Sequence, residues 1–228
     1  MSNLVIYDQE LADNPTARVP ICLVLDVSGS MAGGPINELN KGIEAFMTEI
    51  LEDDIAQDAA DISVVTFGTV VEIALKFDNI EKQVVPKFSA GGTTPMGAAV
   101  LKSLEILEER KKEYKEAGVD YFQPWLVLMT DGVPTDMQII PSATKKTNNL
   151  INEKKLTLYS IGVGNNADMR QLSQFDLSKP PLKLDGLKFK EFFEWLSQSV
   201  SVVSNSTPGD GTLKMDLNDL RGWTTLEL

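Results

Sequence analysis

The motif Asp-Val-Ser-Gly-Ser, which contains Asp26, Ser28 and Ser30, directly follows an apolar run at residues 19–25. Alternation along the chain places the carboxylate and the two hydroxyls on one side of the turn, while Gly29 lets the backbone bend. Carboxylate and hydroxyl oxygens suit the hard cations Mg²⁺ and Mn²⁺. The spacing therefore predicts that this turn helps to hold a divalent cation, with Mg²⁺ as the favoured ion and Mn²⁺ or Ca²⁺ as substitutes.

Two further polar loops could complete such a site. Residues 89–94 (Ser-Ala-Gly-Gly-Thr-Thr) precede a helix pattern, and residues 130–132 (Thr-Asp-Gly) follow another apolar run. In a doubly wound sheet all three loops leave the carboxyl ends of strands and meet at one edge, where ligands bind in such folds. A shell made largely of neutral hydroxyls would leave the cation electrophilic. Its open position would then favour an anionic oxygen from outside.

The amino-acid composition excludes several kinds of catalytic and metal-binding site. The chain has no histidine and one cysteine, Cys22, so Ser-His-Asp and Cys-His nucleophile systems and ordinary zinc sites are excluded. Cys22 is interpreted as a small core residue, and without a second cysteine to pair with it a reducing cytoplasm is favoured. The formal net charge of −12 predicts a surface that repels nucleic acid and anionic membrane. Neither a signal peptide nor a membrane-spanning segment is expected.

Strand patterns alternate with amphipathic helix patterns along the chain, which is typical of a doubly wound α/β fold. The strands predicted at residues 61–67 and 70–77 are joined by only Gly68-Thr69 and must be antiparallel. The predicted fold is therefore a mostly parallel, Rossmann-like sheet with one short antiparallel edge strand and helices on both faces. The other predicted elements are strands at residues 19–25, 124–129, 155–161 and 182–184, and helices at about 36–53, 96–116, 137–153, 169–175 and 187–203.

The chain is predicted to divide into three segments. Residues 1–18 form an N-terminal segment with a short edge strand around residues 4–7, and residues 19–203 form the domain. Residues 204–228 form a tail rich in Ser, Thr, Pro, Gly and Asp. The tail is expected to be partly ordered if Trp223 docks on the domain.

The residues of the three loops resemble the metal-ion-dependent adhesion site of the von Willebrand factor A family. The family pattern is Asp-x-Ser-x-Ser after the first strand, a Thr in a later loop and an Asp after the fourth strand. The matching residues of this chain are Asp26, Ser28, Ser30, Thr94 and Asp131. Thr94 matches better than Thr93, because the run Thr-Pro-Met-Gly-Ala-Ala that begins at Thr94 resembles the family's threonine loop and the helix after it.

This resemblance covers about residues 19–201 and implies a protein-interaction module rather than an enzyme. The serines and the threonine would coordinate the metal directly, and the aspartates directly or through water, with Asp26 as an anchor behind the hydroxyls. A Glu or Asp carboxylate of a protein partner would complete the coordination. The runs at residues 129–136, 160–165 and 189–204 are also similar to the bacterial branch of the family that is linked to tellurium resistance and stress (TerY-like). The partner's identity and the oligomeric state stay open.

Two other functions remain as alternatives. One is a Mg²⁺-dependent phosphohydrolase with Asp26 as its nucleophile, although Ser28 stands where the haloacid dehalogenase family has a second Asp. The other is a scaffold in which the metal only stabilises the three loops. A third motif, Gly-x-Gly-x-x-Ala at residues 162–167 with Asp185 about 20 residues on, formally matches a dinucleotide fingerprint. It does not lie on the first strand–helix turn, where that fingerprint belongs.

Helix capping is the alternative explanation for several polar residues. Ser30 could cap the helix that follows its turn, and Asp168 is predicted to cap the short helix at residues 169–175. Asp136 could be a further metal ligand, but it is predicted instead to cap the helix that comes after it.

Overall fold

The computed structural model describes Leu11, residues 14–208 and the backbone of residues 224–225. The strand predicted around residues 4–7 and the docking of Trp223 lie outside the described residues, so both stay predictions. None of the helices within the described ranges is long and apolar enough to cross a membrane.

Strands and helices alternate along most of the chain. The strands are β1 (Val19–Asp26), β2 (Ala60–Phe67), β3 (Val71–Leu75), β4 (Trp125–Thr130), β5 (Thr157–Val163), β6 (Leu182–Leu184) and β7 (Thr224–Thr225). The helices are α1 (Gly34–Leu51), α2 (Asp54–Ala59), α3 (Met96–Ala117), α4 (Ile140–Asn152), α5 (Met169–Ser173) and α6 (Phe189–Ser204). Short 3-10 helices span Gly29–Met31 and Ile80–Lys82.

One sheet contains all of these strands, in the order β3-β2-β1-β4-β5-β6-β7. The neighbours from β2 to β6 are parallel, and β3 pairs antiparallel with β2 at one edge. The predicted fold class is therefore confirmed. At the other edge, β7 adds two residues antiparallel to β6, which no sequence pattern had indicated.

Most elements begin or end up to three residues away from their predicted bounds, and one short helix was not predicted. The helix predicted from residue 137 begins at Ile140, with Pro141 in its first turn, because the fixed φ of proline suits the start of a helix. The strand predicted at residues 70–77 is shorter and spans Val71–Leu75. Helix α2 was not predicted, since six residues give too little periodicity; its start is fixed by Asp53, whose carboxylate accepts from Ile55 N and Ala56 N.

Helices cover both faces of the sheet. Alternate residues of β1 face opposite layers, with Leu23 packed in the cluster that contains α1 and α6, and Val24 in the cluster that contains α3 and α4. Every residue of β1, β2 and β4 is buried, as expected for parallel strands covered on both sides. The two layers and the pairing of β1 with β4 hold the carboxyl ends of these strands beside each other.

Helices α1 and α6 approach closely at Gly42. A Cβ added at Gly42 would lie 2.7 Å from Cδ2 of Phe193 and 3.1 Å from Cβ of Phe189. Glycine in the middle of a helix is about 1 kcal/mol less favourable than alanine. Its place in the 18-residue helix α1 is therefore explained by the packing of α6 rather than by helix propensity.

We expect Gly42→Ala to lower the free energy of unfolding by about 1–3 kcal/mol, because the new methyl group overpacks the α1–α6 contact. Urea denaturation monitored by far-UV circular dichroism measures this change. The matched control is Glu44→Ala, which changes an exposed residue of the same helix and should have little effect. Equal or higher stability of Gly42→Ala would mean that the two helices move apart at low cost.

A buried ion pair lies at the amino end of the sheet, opposite to the predicted metal loops. Oδ2 of Asp61, near the start of β2, accepts hydrogen bonds from Nε of Arg110 at 2.6 Å and from the hydroxyl of Tyr114. All three side chains are buried. Burial raises the pKa of the Asp61 carboxyl, and the Arg110 guanidinium opposes that shift. The other oxygen, Oδ1, has no hydrogen-bond partner among the described residues.

Candidate metal centre

The predicted metal residues lie at the point where the strand order reverses. Strands β1 and β4 are neighbours in the middle of the sheet, although they are far apart in sequence. Their register pairs Leu25 with Met129, so Asp26 and Thr130 stand side by side at the carboxyl ends of the two strands. Doubly wound sheets bind their ligands in this place.

Asp26 holds the base of the site. Its Oδ1 accepts a hydrogen bond from the backbone N of Ser28 at 2.8 Å, and its Oδ2 accepts one from Oγ1 of Thr130. The side chain is fully buried. Burial raises the pKa of the Asp26 carboxyl, while hydrogen bonds from Ser28 and Thr130 oppose the shift and the charge of Asp131 adds to it. Asp26 therefore orients the turn from behind, as the family resemblance implies.

In front of Asp26, three oxygens from two loops are in direct contact. Oγ of Ser28 lies 3.0 Å from Oγ of Ser30, and Ser30 donates its hydroxyl to Oδ1 of Asp131 at 2.6 Å. Ser28 is buried, Asp131 is half-buried and Ser30 is exposed. The row of oxygens thus begins in the interior at Ser28 and reaches the surface at Ser30. Since Ser30 bonds to Asp131, and residue 33 rather than Ser30 precedes α1, the capping role considered for Ser30 is not observed.

The loop that carries Thr94 does not leave the carboxyl end of a strand, as was predicted, because the strand before it, β3, is antiparallel. It returns to this edge just before α3 and is fastened to the first loop by backbone hydrogen bonds. Gly91 N donates to Val27 O at 2.7 Å, and Gly29 N donates to Gly92 O at 3.2 Å. Thr94 itself is buried. A Cβ placed on Gly132 would be 3.6 Å from Oγ1 of Thr94 and 3.8 Å from Oγ of Ser30. Gly132 therefore lies beside both hydroxyls.

The turn between β2 and β3 packs closely against the loop at residues 89–95. Gly92 has a φ of +82°, and a Cβ at this position would lie 2.2 Å from the backbone N of Thr69. A side chain is thus excluded by both the backbone conformation and the contact. Residues 68–70 consequently belong to the rim of the candidate metal centre.

The arrangement of these residues fits a small divalent cation. Two ligands at right angles on Mg²⁺, with metal–oxygen distances of about 2.1 Å, stand about 3 Å apart. The separations of 3.0 Å between Ser28 and Ser30 and of 2.6 Å between Ser30 and Asp131 are close to that value. In the described ranges no cluster of three or more His, Cys, Asp or Glu side chains could hold a metal, so a site here depends on hydroxyls. Metal binding by the five residues stays a prediction.

Two residues of the site were assigned no role from the sequence. Thr130 donates to Asp26 and its Oγ1 accepts from Gly132 N at 3.2 Å, so it ties β1 to β4. Thr135 N donates to Thr94 O at 2.9 Å, and Thr94 N donates to Oγ1 of Thr135 at 3.2 Å. Both threonines belong to the conspicuous run Thr-Asp-Gly-Val-Pro-Thr-Asp at residues 130–136. Their roles could not be assigned from it, because their hydroxyls bond to residues in distant loops.

Asp136 was predicted to cap the helix that follows it, and this prediction was wrong. Its Oδ1 accepts from Gly97 N at 3.1 Å and its Oδ2 accepts from Ala98 N at 2.8 Å. It therefore caps α3, which precedes it by about 40 residues in sequence, rather than α4, which follows it. The prediction for Asp168 is confirmed, because its carboxylate accepts from Gln171 N in the first turn of α5.

We expect Asp136→Ala to lower the free energy of unfolding by about 1–2 kcal/mol, because two N–H groups at the start of α3 lose their acceptor. Thermal or urea denaturation measures the loss. Asp168→Ala is the matched control, since it removes the cap of a five-residue helix and should cost less. Equal losses in the two variants would mean that the hydrogen bonds from α3 to Asp136 stabilise the protein no more than the cap of a five-residue helix does.

Gly162, the first glycine in the run at residues 162–167, has a packing explanation. A Cβ at Gly162 would lie 2.4 Å from Sδ of Met169 and 3.0 Å from Cβ of Ala167. Gly162 thus lets α5 approach β5. A dinucleotide site is not needed to account for it.

Comparison with known sequences identifies the relatives of this chain. The sequence profile of the von Willebrand factor type A domain matches residues 21–189. Inter-alpha-trypsin inhibitor heavy chain H1 of Mesocricetus auratus is 26% identical over 160 residues, which is 67% of this chain and 17% of the relative. Heavy chain H6 of Homo sapiens is 21% identical over 166 residues, or 72% of this chain and 13% of the relative. The chain therefore spans less than a fifth of the length of the curated relatives it matches.

Solved structures share the fold at lower identity. The manganese-loaded TRAP protein of Plasmodium vivax superposes with a TM-score of 0.52 at 18% identity, covering 78% of this chain and 74% of that one. The open conformation of the pilus adhesin SpaC of Lactobacillus rhamnosus GG gives a TM-score of 0.62 at 13% identity, covering 81% of this chain and 30% of that one. At these identities the likeness concerns the fold alone.

Proposed function

The chain belongs to the von Willebrand factor type A domain family, and from that premise we propose that it is a metal-dependent protein-interaction module. The family typically mediates protein–protein interactions and metal-dependent adhesion. In the proposal Ser28, Ser30, Thr94 and Asp131 hold Mg²⁺, and Asp26 holds the turn behind them. A Glu or Asp side chain of a protein partner is the ligand from outside.

The observation that carries this proposal is the row of contacting oxygens on Ser28, Ser30 and Asp131. Only one carboxylate belongs to this row, because Asp26 is fully buried and both of its oxygens accept hydrogen bonds from the protein. A divalent ion in such a shell keeps part of its positive charge. When bound, it would supply a Lewis-acid position that attracts an anionic oxygen.

The chain's own residues prepare this position. Backbone bonds between residues 27–29 and 91–92 fix the distance between the first two loops, and Thr130 fixes the third through Asp26. The exposed side of Ser30 and Asp131 is where a partner can approach. The three loops are therefore held in place before metal or partner arrives, which lowers the entropy cost of binding.

The test uses the full chain stripped with EDTA and titrated with Mn²⁺, observed by electron paramagnetic resonance. We expect saturable binding at one site, and its loss in Ser28→Ala/Ser30→Ala. The matched control Ser173→Ala, whose hydroxyl bonds to Arg170 O in α5, should bind as the wild type does. The peptide N-acetyl-Ser-Glu-Ser-amide should then show paramagnetic relaxation that EDTA abolishes. Peptide binding that survives EDTA and the double substitution would overturn the proposal.

The two alternative functions predict other results. A phosphohydrolase would need Asp26 as an in-line nucleophile, and the burial and saturation of its carboxylate argue against this. Turnover of p-nitrophenyl phosphate that Asp26→Asn abolishes would revive it. A purely structural metal would raise the melting temperature without any relaxation of the peptide protons. We therefore propose that the chain is not an enzyme.

The biological setting is proposed on sequence alone. The likeness to the tellurium-resistance branch supports a bacterial stress response, and the single cysteine, which is buried, is compatible with a reducing cytoplasm. Residues 19–203 are proposed as the interaction domain, with residues 1–18 and 204–228 flanking it.

A further inference from the structure

Four exposed apolar side chains lie on the loops around the candidate metal centre. They are Val70, Val133, Met137 and Leu187, and we call them the apolar collar. Their exposed fractions are 59%, 55%, 53% and 40%. The described residues include nine exposed large apolar side chains, so almost half of them stand at this one edge of the sheet. Single exposed apolar residues are common on protein surfaces, whereas a concentration of them marks an interaction site.

Each member of the apolar collar is tied to the candidate metal centre by a contact described above or by its place in the chain. Val70 ends the turn that presses on Gly92, and Gly68 N donates to Val70 O at 3.1 Å. Val133 directly follows Gly132, which lies beside the Thr94 hydroxyl. Met137 directly follows Asp136, the cap of α3.

Leu187 reaches the same edge from the far end of the sequence. A Cβ on Gly34 would lie 3.3 Å from Cδ1 of Leu187, and Gly34 begins α1, four residues after Ser30. Leu187 thus contacts the segment that leaves the metal loop. The apolar collar therefore draws on three separate stretches of chain, because Val133 and Met137 share the loop between β4 and α4.

Three loops around the candidate metal centre carry no charged side chain, whereas Asp131 and Asp136 flank Val133 and Met137, and Lys188 follows Leu187. Residues 27–34, 68–70 and 89–95 contain no Asp, Glu, Lys or Arg, in a chain where these make up 24%. A partner's flanking residues consequently find no ion-pair partner on these loops. On these loops a partner meets hydroxyls, glycines and the exposed side chain of Val70.

We propose that the partner's carboxylate is borne by a segment with large apolar side chains next to the acidic residue, and that these pack on the apolar collar. This inference rests on the proposed function. The metal recognises the acid, and Val70, Val133, Met137 and Leu187 select its neighbours. A second copy of this chain is the alternative occupant of the same surface.

The experiment compares two peptides on the Mn²⁺-loaded full chain by paramagnetic relaxation of peptide protons. We expect N-acetyl-Leu-Glu-Leu-amide to bind about tenfold more tightly than N-acetyl-Ser-Glu-Ser-amide, because its leucines are removed from water. The advantage should vanish in Val133→Ser/Met137→Ser. The matched control is Val202→Ser, which changes an equally exposed valine about 20 Å along α6 from its start and should keep the advantage.

Each outcome decides a different claim. Equal affinity of the two peptides, both dependent on metal, overturns this inference and leaves the proposed function intact. Binding of neither peptide to the metal-loaded protein overturns both. Sedimentation velocity tests for metal-dependent self-association. If the wild type self-associates and Val133→Ser/Met137→Ser does not, the surface binds a second copy of this chain, and the inference is overturned.

Discussion

Replacing Asp26 by Asn is expected to weaken divalent-cation binding about a hundredfold while the metal-free protein stays folded. The buried carboxylate orients Ser28 through its backbone N and binds Thr130 at the end of the neighbouring strand. It also lends negative charge behind a row of otherwise mostly neutral ligands. The amide keeps the shape and one acceptor but loses that charge, so the loss should fall on metal affinity.

The fold should tolerate this change because the charge of Asp26 is itself unfavourable without metal. Burial raises the pKa of its carboxyl, which means that the folded protein disfavours the ionised form. The melting temperature of Asp26→Asn in EDTA should therefore equal or exceed that of the wild type. Calorimetric titration with Mg²⁺ and a thermal melt in EDTA measure the two effects separately.

Asp168→Asn provides the control for Asp26→Asn. Asp168 also follows a strand and accepts a backbone hydrogen bond, from Gln171 N, but it caps α5 outside the candidate metal centre. Its substitution should leave Mg²⁺ affinity unchanged. If Asp26→Asn bound Mg²⁺ as tightly as the wild type, Asp26 would neither ligate the ion nor position the residues that do.

Replacing Arg110 by Leu is expected to lower the free energy of unfolding by about 3–5 kcal/mol, because it leaves the Asp61 charge buried without its ion-pair partner. Asp61 and Arg110 are both nearly inaccessible and only 2.6 Å apart. Tyr114 still donates to Asp61 in the variant, but a neutral donor cannot replace a guanidinium. Urea denaturation at constant ionic strength measures the change.

The loss should depend on pH. Burial already raises the pKa of Asp61 in the folded state, and removal of Arg110, which opposes that shift, raises it further. For an acid whose folded pKa lies above its unfolded pKa, stability falls as pH rises through the folded value. The deficit of Arg110→Leu should consequently be larger at pH 8 than at pH 5.

Two further variants make the Arg110 result interpretable. Lys102→Leu breaks the ion pair with Glu105 on the same helix, but both partners are exposed, so the loss should be far smaller. Asp61→Asn/Arg110→Leu removes both charges and keeps an acceptor for the Tyr114 hydroxyl, and should recover part of the stability. A loss in Arg110→Leu no larger than that in Lys102→Leu would show that solvent reaches the Asp61 carboxylate.

The fold could be predicted from the sequence because its signals are local. The apolar runs of β1, β2 and β4, and the two-residue connection before β3, require only neighbouring residues to be interpreted. Strand β7 could not be predicted, since two residues carry no pattern. The start of α4 moved to Ile140 because Pro141 sets the first turn of that helix.

The loops of the candidate site could be predicted from the sequence, but the hydrogen bonds between them could not. The five residues predicted to bind metal stand in recognisable loops, and the structure gathers those loops at one edge of the sheet. The contact of Thr130 with Asp26 spans 104 residues, and that of Asp136 with Ala98 spans 38. No local pattern reports such pairs, because a hydroxyl or carboxylate in a turn can serve any nearby donor or acceptor.

The uncharged loops at residues 27–34, 68–70 and 89–95 have a kinetic consequence. Attraction over long distances, which speeds the encounter of oppositely charged proteins, needs charge around the binding site. Here capture would proceed at the ordinary rate of about 10⁵–10⁷ M⁻¹s⁻¹ set by orientation during collision. The net charge of −12 would slow the approach of an acidic partner at low ionic strength, and related partners would differ chiefly in how long each stays bound.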